Sequence, residues 1–83
     1  MFETTDFGVA CREFMRRKDG CFFTKDGAVV CGSLLNLESE YDSGSGVACI
    51  DVLTAQETCA SVYEDDFVRA MFPDTGGADD AGK

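Results

Sequence analysis

The apolar and polar positions of this chain predict a helix, a run of strands and a second helix. Across residues 6–18, DFGVACREFMRRK, Phe7, Ala10, Cys11, Phe14 and Met15 recur at helical spacing and define one apolar face. Asp6 stands where an N-cap is needed, and Arg16, Arg17 and Lys18 fall at the negative end of the helix dipole. Residues 21–24 and 28–31 then read as a β-hairpin around Asp26-Gly27, a pair that reaches positive backbone angles at little steric cost. Gly32-Ser33 suggests a bulge or short break. Leu35, Leu37 and Tyr41 alternate with Asn36, Glu38 and Glu40, the period of two that marks a strand with one wet face. Residues 42–46 form a loop, and the nearly continuous apolar run 47–53 predicts a central strand.

The longest pattern is 54–72, TAQETCASVYEDDFVRAMF. Thr54 and Glu57 have the spacing of a capping box, and Cys59, Tyr63, Phe67 and Met71 recur every four positions, with Val62, Val68 and Phe72 widening the stripe. Pro73 cannot continue a helix and marks its end. The expected fold is therefore α+β: an antiparallel three- to four-stranded sheet flanked by an N-terminal and a C-terminal helix, both on one face. Residues 1–73 form the single domain, and 74–83, acidic and glycine-rich without apolar anchors, form a flexible tail.

At 83 residues the chain has room for one core and little for an enclosed cleft. It contains no histidine, which removes the usual base for a serine or cysteine nucleophile, so no enzymatic activity is expected. No apolar run reaches the roughly 18 residues of a membrane span, and the opening Met1-Phe2-Glu3 lacks the basic start of a secretory signal. A soluble, monomeric, cytoplasmic protein with no membrane contact is the expectation. Cys11, Cys21, Cys31, Cys49 and Cys59 are odd in number and sit among apolar neighbours, which predicts mostly free core thiols, their intervals of ten being coincidence. No Cys-x-x-Cys pair offers a zinc site, and Glu64-Asp65-Asp66 lacks the alternation of a calcium loop, so no metal or other cofactor is expected.

Charge is the most informative property. The net charge is −9, yet residues 1–33 hold five acids and five bases, while residues 34–83 hold eleven acids against Arg69 and Lys83. The whole excess lies in the later part. Such a field repels nucleic acid and anionic membrane and attracts basic protein surfaces. Glu38, Glu40 and Asp42 fall on alternate positions about 6.6 Å apart on a strand, of the order of phosphate spacing. Glu57, Glu64 and Asp65, about two helical turns apart, suggest a second row. Together with Asp66 these seven acids are the candidate partner-binding residues, able to imitate a nucleic acid backbone in the basic channel of a nucleic-acid-binding protein. The competing reading is a solvated surface on a small adaptor or structural interaction module.

A single-domain, strongly acidic chain of this length, without histidine, signal or catalytic set, resembles the small inhibitors deployed by phages and other mobile elements, anti-CRISPR proteins in particular. The likeness is one of overall character and carries no motif. It implies a protein that works in the cytoplasm of a bacterial host, binds a CRISPR effector complex and blocks target DNA binding sterically or by charge mimicry.

Overall fold

The computed structural model describes residues 1–41, 44 and 46–73; Asp42 and the tail expected over 74–83 lie outside the described residues. A short strand that the hydrophobic pattern does not announce, β1 (Phe2–Thr4), leads into helix α1 (Phe7–Arg17). The helix begins as its sequence dictates. The Asp6 carboxylate accepts from the Val9 amide at 3.0 Å, and the chain leaves the helix through Lys18, at φ 73°, whose amide donates to the Phe14 carbonyl at 2.8 Å.

Strands β2 (Asp19–Thr24) and β3 (Val29–Glu38) form the expected hairpin, with Gly27 at φ 88° in its turn. Strand β3 runs unbroken through Gly32-Ser33. Its irregularity falls instead between Leu34 and Asn36, where Leu35 bulges, so the alternating stretch expected as a separate strand is the second half of β3. Strand β4 (Cys49–Thr54) then pairs with that second half.

The predicted C-terminal helix is overturned. Residues 54–72 form a hairpin turn, strand β5 (Cys59–Tyr63), one 3₁₀ turn (Glu64–Asp66) and strand β6 (Phe67–Phe72). The sheet is therefore six-stranded and antiparallel, in the order β1-β6-β2-β3-β4-β5, with one helix in place of two. The class remains α+β. The apparent capping box is a hairpin loop of the kind already present at residues 24–28. The Gly27 amide donates to the Thr24 carbonyl at 3.0 Å and the Thr24 amide to Ala28 at 3.1 Å; in the second loop Glu57 donates to Thr54 and Thr54 to Thr58, both at 2.9 Å. Both are type I turns closed by a left-handed residue, which is Gly27 in one and Glu57, at φ 63°, in the other. The four-residue repeat that suggests a helix mixes the two faces: Phe67 is buried with Val62, Ala70 and Phe72, whereas Tyr63 and Met71 are half-buried and Cys59 is exposed. Valine, phenylalanine and tyrosine favour a pleated, half-buried surface, and three successive acids at the surface end the strand where a helix would continue.

The link between β5 and β6 decides the shape. In a flat sheet these strands would lie four spacings, about 19 Å, apart. Four residue steps from Tyr63 to Phe67 reach at most about 14 Å. The sheet must curl, and the concave side closes on α1. Ala10 and Phe14 of the helix join Phe22, Ile50, Val52, Val62, Phe67, Ala70 and Phe72 in one core. Phe14 meets Phe22 edge-on at 4.8 Å, and Phe7 meets Phe67 edge-on at 5.3 Å. Two opposed glycines, Gly20 and Gly32, keep the concave side clear. A Cβ on Gly20 would stand 2.7 Å from the Phe72 ring, and one on Gly32 2.1 Å from the Leu53 carbonyl oxygen.

Gly32→Ala has to move backbone rather than a side chain, so it is expected to cost about 3 kcal/mol in urea unfolding, the upper range for overpacking. Glu57→Gly relieves a left-handed glutamate and is expected to add roughly 0.5 kcal/mol after the greater entropy of an unfolded glycine is deducted. A thermal melt showing no gain would contradict the turn geometry.

Candidate acidic docking surface

Strand pairing brings Glu38 and Glu64 to the same end of the β3–β4–β5 ladder. Glu38 and Tyr63 are both register partners of Cys49, so their Cα atoms lie about 10 Å apart across β4. Glu64 follows Tyr63, and its amide donates to the Ala48 carbonyl at 2.9 Å. Asp65 and Asp66 continue the 3₁₀ turn, and the Asp66 carbonyl accepts from the Lys25 amide at 2.9 Å, which ties the turn to the β2–β3 hairpin. Glu40 lies two residues beyond Glu38. Glu40, Glu64, Asp65 and Asp66 are exposed, and Glu38 is half-buried.

Glu57 stands apart from this group. It occupies the β4–β5 turn at the opposite end of that hairpin, so the second acidic row, expected on a helix, does not form. The basic residues of α1 keep other company: Arg16 and Arg17 bond Glu13 at 3.1 and 2.9 Å. Arg17 also donates to the Pro73 carbonyl at 2.8 Å and lies over the Phe2 ring.

On the face of β4 turned away from the core is a group that the sequence reading missed. Asp51, 7% exposed, is the one buried charged residue among the described residues. Its Oδ1 accepts from the Ser61 hydroxyl at 2.7 Å and from the Cys49 thiol at 3.4 Å. Burial raises the Asp51 carboxyl, but hydrogen bonds from Glu38, Ser61 and Cys49 outweigh it and hold the group below its ordinary value. Two carboxyls bond each other only through a shared proton. Burial, with the bond to Asp51 adding to it, pushes the Cys49 thiol up to about 11. The available signal was an aspartate at the centre of an otherwise apolar strand, where a charge is costly unless partnered.

The cysteines also depart from expectation. Cys21 and Cys31 are direct register partners and form a disulfide, so their interval of ten is the length of the β2–β3 hairpin. The same interval from Cys49 to Cys59 makes no pair, because Cys49 opposes Tyr63 and Cys59 opposes Leu53. Cys49 is buried, Cys11 half-buried and Cys59 exposed. On the convex face, Met1, Cys21, Phe23, Val29, Cys31 and Met71 line an open apolar hollow of about 330 Å³. Arg69 closes over Phe23 at 4.2 Å beside it and pairs with Glu3.

No protein-family model, curated protein or solved structure matches this chain, so the functional reading rests on its own geometry. Among the described residues no helix is long and apolar enough to cross a membrane.

Asp51→Asn replaces an acceptor by an amide facing three donors and is expected to cost roughly 1–3 kcal/mol at pH 7. The sign of the pH effect follows from the lowered folded value: the contribution of Asp51 is present above about pH 4 and lost as acid protonates it. Urea titrations of both proteins between pH 2 and 7 should therefore converge at the acid end; a constant gap would exclude this role.

Proposed function

We propose that this protein is a non-enzymatic inhibitor that docks its acidic end on the basic nucleic-acid site of a partner protein and competes with DNA or RNA there. The observation that carries the reading is the run of three exposed acids, Glu64, Asp65 and Asp66, held in one 3₁₀ turn by the Glu64–Ala48 and Lys25–Asp66 backbone bonds. Fixed carboxylates on ordered backbone cost little entropy on binding and steer a basic partner from a distance. A CRISPR effector complex is the partner class implied by the chain's overall resemblance, and its target-DNA channel has the required chemistry.

An adaptor reading, in which contacts are apolar and the acidity incidental, draws on the open hollow beside the Cys21–Cys31 disulfide. Salt separates the two, since charge-led docking fades with ionic strength and apolar docking does not.

Displacement of labelled target DNA from purified CRISPR effector complexes, followed by fluorescence anisotropy, tests the proposal. The chain should displace DNA, and the Glu64→Lys, Asp65→Lys, Asp66→Lys triple variant should associate at least about tenfold more slowly. Glu57→Lys, at the other end, should behave as wild type. Failure to displace DNA from any effector, or displacement undiminished in the triple variant, rejects it.

A further inference from the structure

We infer that Glu38, Asp51 and Cys49 form a binding site for one borderline-soft divalent cation of the zinc class. Their ligand atoms, one carboxylate oxygen each and the Cys49 sulfur, all lie within 4.8 Å of one another, with Cys49 and Asp51 buried and Glu38 half-buried at the mouth. The donors come from paired strands in register: Glu38 opposes Cys49, and Asp51 lies two residues along on the same face. Around a tetrahedral ion, oxygen and sulfur ligands stand about 3.5 Å apart. Cys49 Sγ and Asp51 Oδ1 are already at 3.4 Å. Glu38 is the longest of the three side chains and the least enclosed, and it supplies the remaining adjustment.

The surroundings fit an ion better than a purely structural network. Buried charges are ordinarily paired with an opposite charge or bound to a metal. Among the described residues, Asp51 is met by a hydroxyl, a thiol and a second acid, and by no lysine or arginine. The thiol selects against calcium and magnesium, which take oxygen ligands, and toward zinc or cadmium. Ser61, donating to the ligating carboxylate at 2.7 Å, is placed as the outer hydrogen bond that orients a metal ligand. The exchange is balanced: M²⁺ enters, the Cys49 thiol proton and the one proton shared between the Glu38 and Asp51 carboxyls leave to solvent, and the cluster keeps its charge of minus one. Three protein ligands leave a fourth position for water.

The site joins the end of β3 to the start of β4 and does not depend on the docking proposal. The test uses the full chain with Cys11→Ser and Cys59→Ser, so that Cys49 is the remaining free thiol, without reductant. Isothermal titration with Zn²⁺ should give one ion per chain, and Cd²⁺ should produce a near-ultraviolet thiolate charge-transfer band. Cys49→Ser and Glu38→Gln should each weaken binding by more than about tenfold, and Ser61→Ala by about tenfold. Circular dichroism checks that each variant is folded; if Cys49→Ser is not, Glu38→Gln decides. No saturable binding, or binding that Glu38→Gln leaves unchanged, overturns the site.

Discussion

Three residues, Glu64–Asp66, join an edge strand to a strand four positions away in the same sheet, and the rest of the structure follows from that short reach. A flat sheet cannot accommodate the link, so the strands curl, the concave side shrinks, and one helix suffices to cover it. The cost of that curvature is met where side chains are absent. Gly20 and Gly32 oppose each other on the inner side, Phe72 lies against one and β4 against the other. The bulge at Leu35 lets β3 serve two partners, β2 along its first half and β4 along its second. The aromatic cluster of Phe14, Phe22 and Phe72 then fills the space between helix and sheet in edge-on or tilted contacts.

The same link sets the electrostatics. Because it is short and held by backbone hydrogen bonds at both ends, its three carboxylates have nowhere to disperse, and β3 delivers Glu38 to the same end. Negative charge there is a product of topology as much as of composition. On the outer face of β4, hydrogen bonds from Glu38, Ser61 and Cys49 hold the buried Asp51 carboxyl below its ordinary value.

Much of the first half of the fold was legible in the sequence. Asp6 and the α1 stripe specify a helix with its cap, and Asp26-Gly27 specifies a hairpin, because each signal is local and chemically unambiguous. The second half was not, because two local signals imitate a helix. Thr54-x-x-Glu57 has capping-box spacing but closes a turn in which Glu57 adopts the backbone normally left to glycine, as Gly27 does in the matching loop. The spacing of Cys59, Tyr63, Phe67 and Met71 marks side chains that do not share one face. Strand β1 is too short to show a period and exists only because β6 is there to pair with it. Of the seven acids proposed from charge alone, Glu64, Asp65 and Asp66 share one 3₁₀ turn and Glu38 ends β3 level with Tyr63, while Glu57 is carried to the far end of the β4–β5 hairpin and Asp42 lies outside the described residues. The Asp51 group was hidden by the apolar run that surrounds it.

Amide exchange and nuclear Overhauser contacts of the native protein test the curled topology most directly. The Lys25 and Glu64 amides, hydrogen-bonded to Asp66 and Ala48, should exchange slowly, and Phe22 should show cross-strand contacts to Ala70. Sequential helical contacts across residues 54–72, with no contact between Phe22 and Ala70, would contradict it.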